Sequence, residues 1–185
     1  MTRALMTRSL MKKSLTQALF FCTFLFASQF SQAEIIAANE NYFEVKFSST
    51  VKAPVEKLNS TLVDIAKWWN PEHSYAGKSE NLTLDLTKLH CFCEKFDGGG
   101  FVRHMDIGYF QPEKMLRLLG GLGPLQSLPV DGVLDFSIKS QSAESSLLTV
   151  TYKVSGVGVG LKNWAKPVHG VIGEQFSRLK QQAEK

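Results

Sequence analysis

The sequence has little excess charge of either sign and lacks the common catalytic motifs. Four of its 21 Lys and Arg residues precede residue 34, where no Asp or Glu occurs, so the rest of the chain carries 17 basic and 17 acidic residues. A chain without a basic surplus has little of the phosphate attraction that dominates nucleic-acid binding, and we expect no nucleic-acid partner. A Ser-His-Asp order with a nucleophile elbow, paired catalytic carboxylates and an HExxH motif are also missing, which weighs against hydrolysis.

Proline, cysteine and long apolar runs are scarce as well. The chain has 6 Pro, 44% hydrophobic and 21% charged residues, which is typical of a globular protein rather than a disordered, collagenous or coiled-coil one. Its length of 185 residues suits one domain. The most apolar run, residues 18–27, is about ten residues long, whereas a bilayer span needs roughly 20. We therefore expect no permanent membrane anchor.

The first 33 residues have the pattern of a secretory signal peptide. Lys12 and Lys13 precede the apolar run, and Ala33 ends the segment that follows it. We predict cleavage near Ala33, which leaves a single domain over residues 34–185 in a periplasmic or secreted location. Cys22 is not expected to carry a lipid, because the bulky Phe21 precedes it.

The remaining chain predicts the order strand, helix, several strands, helix. Tyr42–Val51 alternates apolar and polar residues as a half-buried strand does. Pro54 is placed to open a helix, and five or six short alternating runs over residues 82–157 predict an antiparallel meander. The last segment is an amphipathic helix. Its stripe comprises Val168, Val171, Ile172, Gln175, Phe176 and Leu179.

These elements predict an α+β fold. An antiparallel sheet with one apolar face needs cover, and only the C-terminal helix is long enough to supply it. We expect a curved antiparallel sheet of six to seven strands wrapped around that helix, with two short helices after the first strand. Such an arrangement leaves a space between sheet and helix wherever side chains do not fill it. That space is the candidate functional site.

Several motifs resemble the SRPBCC superfamily of helix-grip proteins. They are Val51-Lys52-Ala53-Pro54, the Trp68-Trp69 pair, His73-Ser74-Tyr75, Cys91-Phe92-Cys93-Glu94 and the run LRLLGGLGPLQ at residues 116–126. The superfamily includes START lipid-transfer domains, plant pathogenesis-related allergens, polyketide cyclases and homologues of a heat-shock-chaperone ATPase activator. The resemblance covers roughly residues 42–179. It implies a deep hydrophobic cavity between sheet and long helix, which different members use for different apolar ligands, so it selects no single activity.

The hairpin around the glycine run gives the most specific prediction. A tight turn at residues 97–100 places Glu94 opposite Arg103 and Cys93 opposite His104. The face we assign to the cavity comprises Phe92, Glu94, Phe96, Phe101, Arg103, Met105, Ile107 and Tyr109. The Glu94–Arg103 pair is then either a polar anchor inside the pocket or an exposed salt bridge contributing under about 1 kcal/mol.

Cys91 and Cys93 leave three states open. With His104 they have the ligand types of a zinc site, but a fourth ligand is not evident, and we predict no metal. A disulfide between residues two apart is strained, although export would permit oxidation. Two reduced, packed thiols are the third possibility.

Other candidates follow from their expected position near the cavity. His73 and Tyr75 lie in the loop where the resemblance places an entrance, and the tryptophan pair beside them either lines the cavity or fixes the loop to the core. Arg117 either faces the pocket or extends outward. The predicted ligand-binding set is Trp68, Trp69, His73, Tyr75, Glu94, Arg103, Met105, Arg117, Tyr152 and Phe176.

Three functions stay open at this point. We rank first an exported binding protein that holds an apolar lipid-like or aromatic molecule, without a cofactor and as a monomer or weak homodimer. The second is a cyclase- or dehydratase-like enzyme that polarises its substrate with polar cavity residues. The third is an interaction protein whose cavity is filled by its own side chains.

Overall fold

The computed structural model describes residues 32–185, which form an eight-stranded antiparallel sheet and one long helix. The elements are β1 (Gln32–Asn39), β2 (Tyr42–Val51), α1 (Val55–Val63), β3 (Leu82–Asp85), β4 (Cys91–Lys95), β5 (Phe101–Gln111), β6 (Met115–Leu119), β7 (Asp131–Ser142), β8 (Ser145–Ser155) and α2 (Ala165–Ala183). The strands lie side by side in the order β1-β2-β8-β7-β6-β5-β4-β3. The predicted α+β fold is confirmed, with eight strands where six to seven were expected.

The additional strand is β1, at one edge of the sheet. It pairs antiparallel with β2, and nearly all its side chains are exposed. An exposed edge strand shows no apolar alternation, so periodicity does not reveal it. It begins two residues before the predicted cleavage site, at Gln32. The rest of the predicted signal peptide, residues 1–31, lies outside the described residues.

The long helix α2 packs against β1, β2 and α1. Its buried face includes Ile172, Phe176 and Leu179, and the Phe176 ring lies 5.7 Å from the ring of Phe47 on β2. Gly173 allows the backbone of α2 to lie close to β2, because a Cβ at this position would lie 2.9 Å from the Phe47 ring. The terminal helix therefore covers the sheet as predicted. Within residues 32–185, no helix combines the length and the apolar character needed to cross a membrane.

The segment between β2 and β3 holds one α-helix rather than two. Pro54 stands at the N-cap of α1, as its position predicts, and the chain continues through short 3-10 turns at Ile65–Lys67 and Pro71–His73. Between these turns Trp68 and Trp69 are almost fully buried. Their indole N–H groups donate to backbone carbonyl oxygens at 3.2 Å and 2.9 Å. The tryptophan pair thus fixes this loop to the core.

The β4–β5 hairpin has a different register from the predicted one. Its turn pairs the Phe96 N–H with the Gly100 carbonyl at 3.2 Å, which places Glu94 opposite Val102. The predicted pairings of Glu94 with Arg103 and of Cys93 with His104 are therefore wrong, since Cys93 lies opposite Arg103. A bulge at His104 restores the predicted register from there on, since two residues of β5 then oppose one of β4.

The bulge also changes which side chains face inward. His104 and the following Met105 are both buried, although strict alternation would place them on opposite faces. Arg103 points away from the core and pairs with Asp106, and Phe101 is 71% exposed. Of the side chains predicted to share the inward face, Phe92, Glu94 and Met105 are buried, whereas Arg103, Phe96, Phe101 and Tyr109 are exposed.

Cys91 and Cys93 form a disulfide, with their Cα atoms 5.5 Å apart. This is one of the three states that the sequence leaves open. Both sulfur atoms are used in the bond, and His104 is hydrogen-bonded to Glu94, so these three residues do not form the zinc site considered above. Across the described part of the chain, no three His, Cys, Asp or Glu side chains are grouped to hold a metal ion.

Candidate ligand-binding cavity

A cavity of about 330 Å³ lies between the first half of α2, the loop at residues 69–75 and the loop at residues 122–125. His104 on β5 and Tyr152 on β8 close it on the side of the sheet. It is located where the helix begins, at the seam predicted from the sequence. The chain's own side chains do not fill it.

The walls of the cavity are mostly apolar. The helix contributes Trp164, Val168, Val171 and Ile172, and the opposite wall includes Leu125. Water in such a space gains few hydrogen bonds, so an apolar molecule that displaces it is favoured.

A wider groove of about 760 Å³ lies elsewhere on the molecule. Charged side chains border it, among them Glu113, Arg117 and Lys139, and it is more open to solvent. An open, charged groove buries less of a small apolar molecule than a more closed apolar space does. The smaller cavity is therefore the better candidate site.

Tyr152 fixes the wall at residues 120–125. Its hydroxyl donates to the Gly120 carbonyl at 3.1 Å and accepts from the Leu122 N–H at 2.9 Å. Burial raises the pKa of Tyr152 far above its ordinary value, so the side chain stays a neutral phenol. The neutral hydroxyl can both donate and accept, as these two hydrogen bonds require.

The loop at residues 69–75 is tied to α2 by three polar contacts. The side-chain amide of Asn70 donates to Glu174 at 2.5 Å, and the Asn70 backbone N–H donates to the Gln175 side chain at 2.8 Å. His73 Nε2 lies 3.0 Å from the second carboxylate oxygen of Glu174. These contacts hold the loop, with its aromatic side chains, against the helix.

Glu94 on β4 is a fully buried carboxylate next to the cavity. It accepts hydrogen bonds from the backbone N–H groups of Tyr75 at 3.1 Å and Ala76 at 2.6 Å, and from His104 Nε2 at 2.9 Å. Three donors around two oxygens compensate for the water that the carboxylate loses on burial.

The ring of His104 lies between two aromatic rings and is 4% exposed. Its centroid is 5.6 Å from that of Tyr75 and 4.6 Å from that of Phe92. Because a carboxylate can only accept, the proton on the ring is assigned to Nε2, which faces Glu94. In the neutral ring Nδ1 is then an acceptor, and it has no hydrogen-bond partner within residues 32–185.

Burial lowers the pKa of His104, and the neighbouring Glu94 opposes this only in part. In the unfolded chain the pKa of histidine is about 6.5, so below that pH the unfolded state binds a proton that the folded state does not. We therefore expect the free energy of unfolding to fall as the pH drops below about 6.5, by up to about 1.4 kcal/mol per pH unit from this residue.

Urea unfolding at pH 5.5 and 7.5 measures this loss of stability. The difference between the two pH values should be smaller in His104→Phe, which keeps an aromatic ring between Tyr75 and Phe92, and in the more polar variant His104→Gln. Equal differences in wild type and in both variants would contradict a lowered pKa for His104.

Four of the ten predicted ligand-binding residues line the cavity: Trp69, His73, Tyr75 and Tyr152. Trp68, Met105 and Phe176 belong to the buried core and do not reach the cavity wall. Glu94 lies behind His104.

The two predicted arginines lie away from the cavity. Arg103 pairs with Asp106 on an exposed surface and donates to the Leu89 carbonyl at 2.8 Å. Arg117 extends outward, one of its two predicted alternatives, and binds Asp135 through two hydrogen bonds of 2.7 Å and 2.8 Å. Neither provides a positive charge for a ligand in this site.

The prediction omits His104 and the helix side chains that line the cavity. His104 was assigned to the outer face, because alternation alone does not reveal a bulge. Val168 and Val171 were recognised as part of an apolar stripe, but a stripe looks the same whether it faces the core or a cavity. Trp164 precedes the helix, outside the stripe.

No protein-family model matches the sequence, and neither does any curated protein. Solved structures do share its fold. A conserved protein of unknown function from Enterococcus faecalis is 14% identical, with a TM-score of 0.55 over 84% of this chain and 77% of that one. CalU16 from Micromonospora echinospora is 15% identical, with a TM-score of 0.54 over 86% and 77%.

A third solved structure is DynU16, a protein in the dynemicin biosynthetic locus. It is 19% identical, with a TM-score of 0.52 over 80% of this chain and 48% of its own. Likeness at these identities concerns the fold and not the activity. What the chain shares with these proteins is an α+β fold with a curved antiparallel sheet and a long C-terminal helix.

Proposed function

We propose that the protein is a helix-grip protein of the SRPBCC type that binds an apolar small molecule in the cavity between α2 and the loops at residues 69–75 and 122–125. The observation that carries this proposal is the cavity itself, about 330 Å³ with mainly apolar walls. Such a space left empty costs packing energy, and a molecule that fits it recovers part of that cost.

The size of the cavity supports a compact ligand. Small-molecule pockets range from about 300 to 1,000 Å³, and this one lies at the lower end. Aromatic side chains, including Trp69, Tyr75 and Trp164, form much of its lining. An aromatic molecule of one or two rings fits these features better than a long acyl chain does.

Ethylbenzene is a suitable first probe for the proposed function. Burial of about 250 Å² at about 25 cal/mol per Å² gives about 6 kcal/mol before the cost of association. We expect a dissociation constant below about 1 mM, which corresponds to about −4 kcal/mol. Titration followed by tryptophan fluorescence measures it, because Trp69 and Trp164 line the cavity. Absence of binding up to the solubility limit of ethylbenzene would contradict the proposal.

The Glu94–His104 pair favours the enzymatic alternative as a second function. A carboxylate that holds the proton on one ring nitrogen leaves the other nitrogen as a potential base. His104 would then act as the general base and Glu94 as its positioning residue, whereas the sequence predicted Arg103 as the partner of Glu94. Hydrogen–deuterium exchange at the α carbon of 1-indanone, followed by NMR, tests this role. Exchange faster than in buffer and lost in His104→Phe would support it.

We also propose that the chain is exported, on the strength of Lys12, Lys13 and the apolar run that follows them. N-terminal sequencing of the protein isolated from its own cells tests this directly. A mature chain beginning at Glu34 is the expected result, and an intact N-terminus would contradict it.

A further inference from the structure

Among the described residues, Nδ1 of His104 is a buried hydrogen-bond acceptor without a protein partner. Nδ1 has no hydrogen-bond partner within residues 32–185, and it is closed off from bulk solvent and from the open cavity alike. Buried polar atoms in native structures are nearly always paired, because an unpaired one lowers the stability of the fold. An unpaired atom on a residue that lines an apolar cavity is therefore a potential partner for a ligand, which reaches it only when a neighbouring side chain moves.

The surroundings of the ring determine what kind of partner it can accept. Glu94 accepts from the backbone N–H groups of Tyr75 and Ala76 as well as from His104 Nε2, so the side of the ring facing Glu94 is the donating side. The nitrogen that remains accepts a hydrogen bond and has none to give. A ligand that satisfies it must carry an O–H or N–H group.

The charges around the cavity limit further which ligands it can hold. Its described lining contains neither lysine nor arginine, and it includes the acidic Glu72. A carboxylate ligand would lie near two glutamates without a cation to balance it. An ammonium group would lose its hydration in a mainly apolar space. A neutral hydroxyl meets neither penalty.

One side chain of the cavity wall, that of Tyr75, is exposed enough to change its position. The Tyr75 side chain stacks on the His104 ring and is 57% exposed. A ligand that displaces Tyr75 would open this side of the His104 ring, and a donor group that reaches the ring edge could then pair with Nδ1.

We infer that the ligand of the proposed cavity is a neutral aromatic molecule with a hydroxyl or N–H group that donates a hydrogen bond to Nδ1 of His104, and a phenol is its simplest representative. This inference rests on the proposed binding function and adds the chemical group that the site selects.

Three matched probes test it: ethylbenzene, 4-ethylphenol and 4-ethylanisole. The anisole has the same oxygen as the phenol but no proton to donate, so it leaves Nδ1 unpaired. We expect 4-ethylphenol to bind about tenfold more tightly than 4-ethylanisole, which corresponds to about 1.4 kcal/mol. Equal affinities of the phenol and the anisole would overturn the inference while leaving apolar binding intact. If none of the three binds, the proposed function itself fails.

Glu94→Gln should exchange the donor and acceptor nitrogens of the His104 ring. The amide NH₂ of glutamine can donate to Nε2, which moves the ring proton to Nδ1 and makes that nitrogen a donor. The preference for the phenol over the anisole should then fall to within about twofold, since both ligand oxygens accept. The matched control is Glu80→Gln, which removes an exposed carboxylate that neither lines the cavity nor contacts the ring. The control should keep the tenfold preference.

The tautomer can also be measured without a variant or a ligand. Nitrogen-15 NMR of the wild-type protein distinguishes a protonated ring nitrogen from an unprotonated one, and we expect the proton of His104 on Nε2. A proton on Nδ1 would overturn the inference even if Glu94→Gln does not fold.

Discussion

Replacement of Gly132 by alanine should destabilise the protein by about 3 kcal/mol or more. A Cβ at this position would lie 2.1 Å from the carbonyl oxygen of Gly120 and 3.0 Å from the hydroxyl of Tyr152. The carbonyl belongs to the backbone, and it accepts the Tyr152 hydrogen bond that holds the cavity wall. The Gly120 N–H also donates to the Gly132 carbonyl at 2.8 Å, so the two segments cannot separate without losing both contacts.

Urea unfolding of Gly132→Ala at pH 7.5 measures this effect. The matched control is Gly170→Ala in α2, where an added Cβ meets nothing within 4 Å. Because glycine within a helix is unfavourable relative to alanine, the control should gain about 0.5–1 kcal/mol. A Gly132→Ala protein as stable as wild type would show that the two backbone segments do not approach each other as described.

Substitution of Val171 by tryptophan should abolish detectable binding of ethylbenzene. Val171 lies on the first half of α2 and lines the cavity, so an indole ring in its place would occupy much of the space of about 330 Å³. The side chain is only partly buried in wild type, and the larger ring enters a space that is already present. We therefore expect the variant to fold, with a thermal midpoint close to that of wild type.

The control for this substitution is Gln181→Trp, on an exposed position of the same helix. It introduces the same residue at a distance from the cavity, and ethylbenzene should bind it as tightly as wild type. A folded Val171→Trp protein that binds ethylbenzene with wild-type affinity would place the binding site elsewhere on the molecule.

Much of the fold could be predicted because its elements have strong periodicities. β2 alternates between apolar and polar residues, and α2 carries an apolar stripe, so both appear in the sequence near their observed positions. β1 could not be predicted in this way. Its side chains are exposed, and an edge strand held mainly by backbone hydrogen bonds leaves no apolar pattern.

The candidate site was harder to predict than the fold, because it depends on an irregular pairing of β4 with β5. The turn pairs β4 with β5 one residue out of the predicted register, and the bulge at His104 restores that register further along the strands. A one-residue shift moves a side chain to the other face of a sheet. The partner of Glu94 thus changes from Arg103 to His104. The consecutive glycines of this hairpin are the signal available in the sequence, since Gly99 and Gly100 both adopt positive φ angles in the turn that shifts the register.

The loop at residues 69–75 was indicated by the resemblance rather than by periodicity. His73 and Tyr75 lie on the cavity wall, where the resemblance places an entrance. The sequence does not reveal which residues hold this loop against α2. Asn70 and His73 bind Glu174, which is more than a hundred positions away along the chain.

The central claim is that the cavity beside α2 accepts an apolar molecule, and backbone amide NMR of the purified protein during titration with ethylbenzene tests it most directly. We predict that the largest chemical-shift changes fall in residues 69–75 and 122–125 and in the first half of α2, around Ile172. Changes confined to the charged groove near Arg117, or no changes up to the solubility limit, would contradict the account.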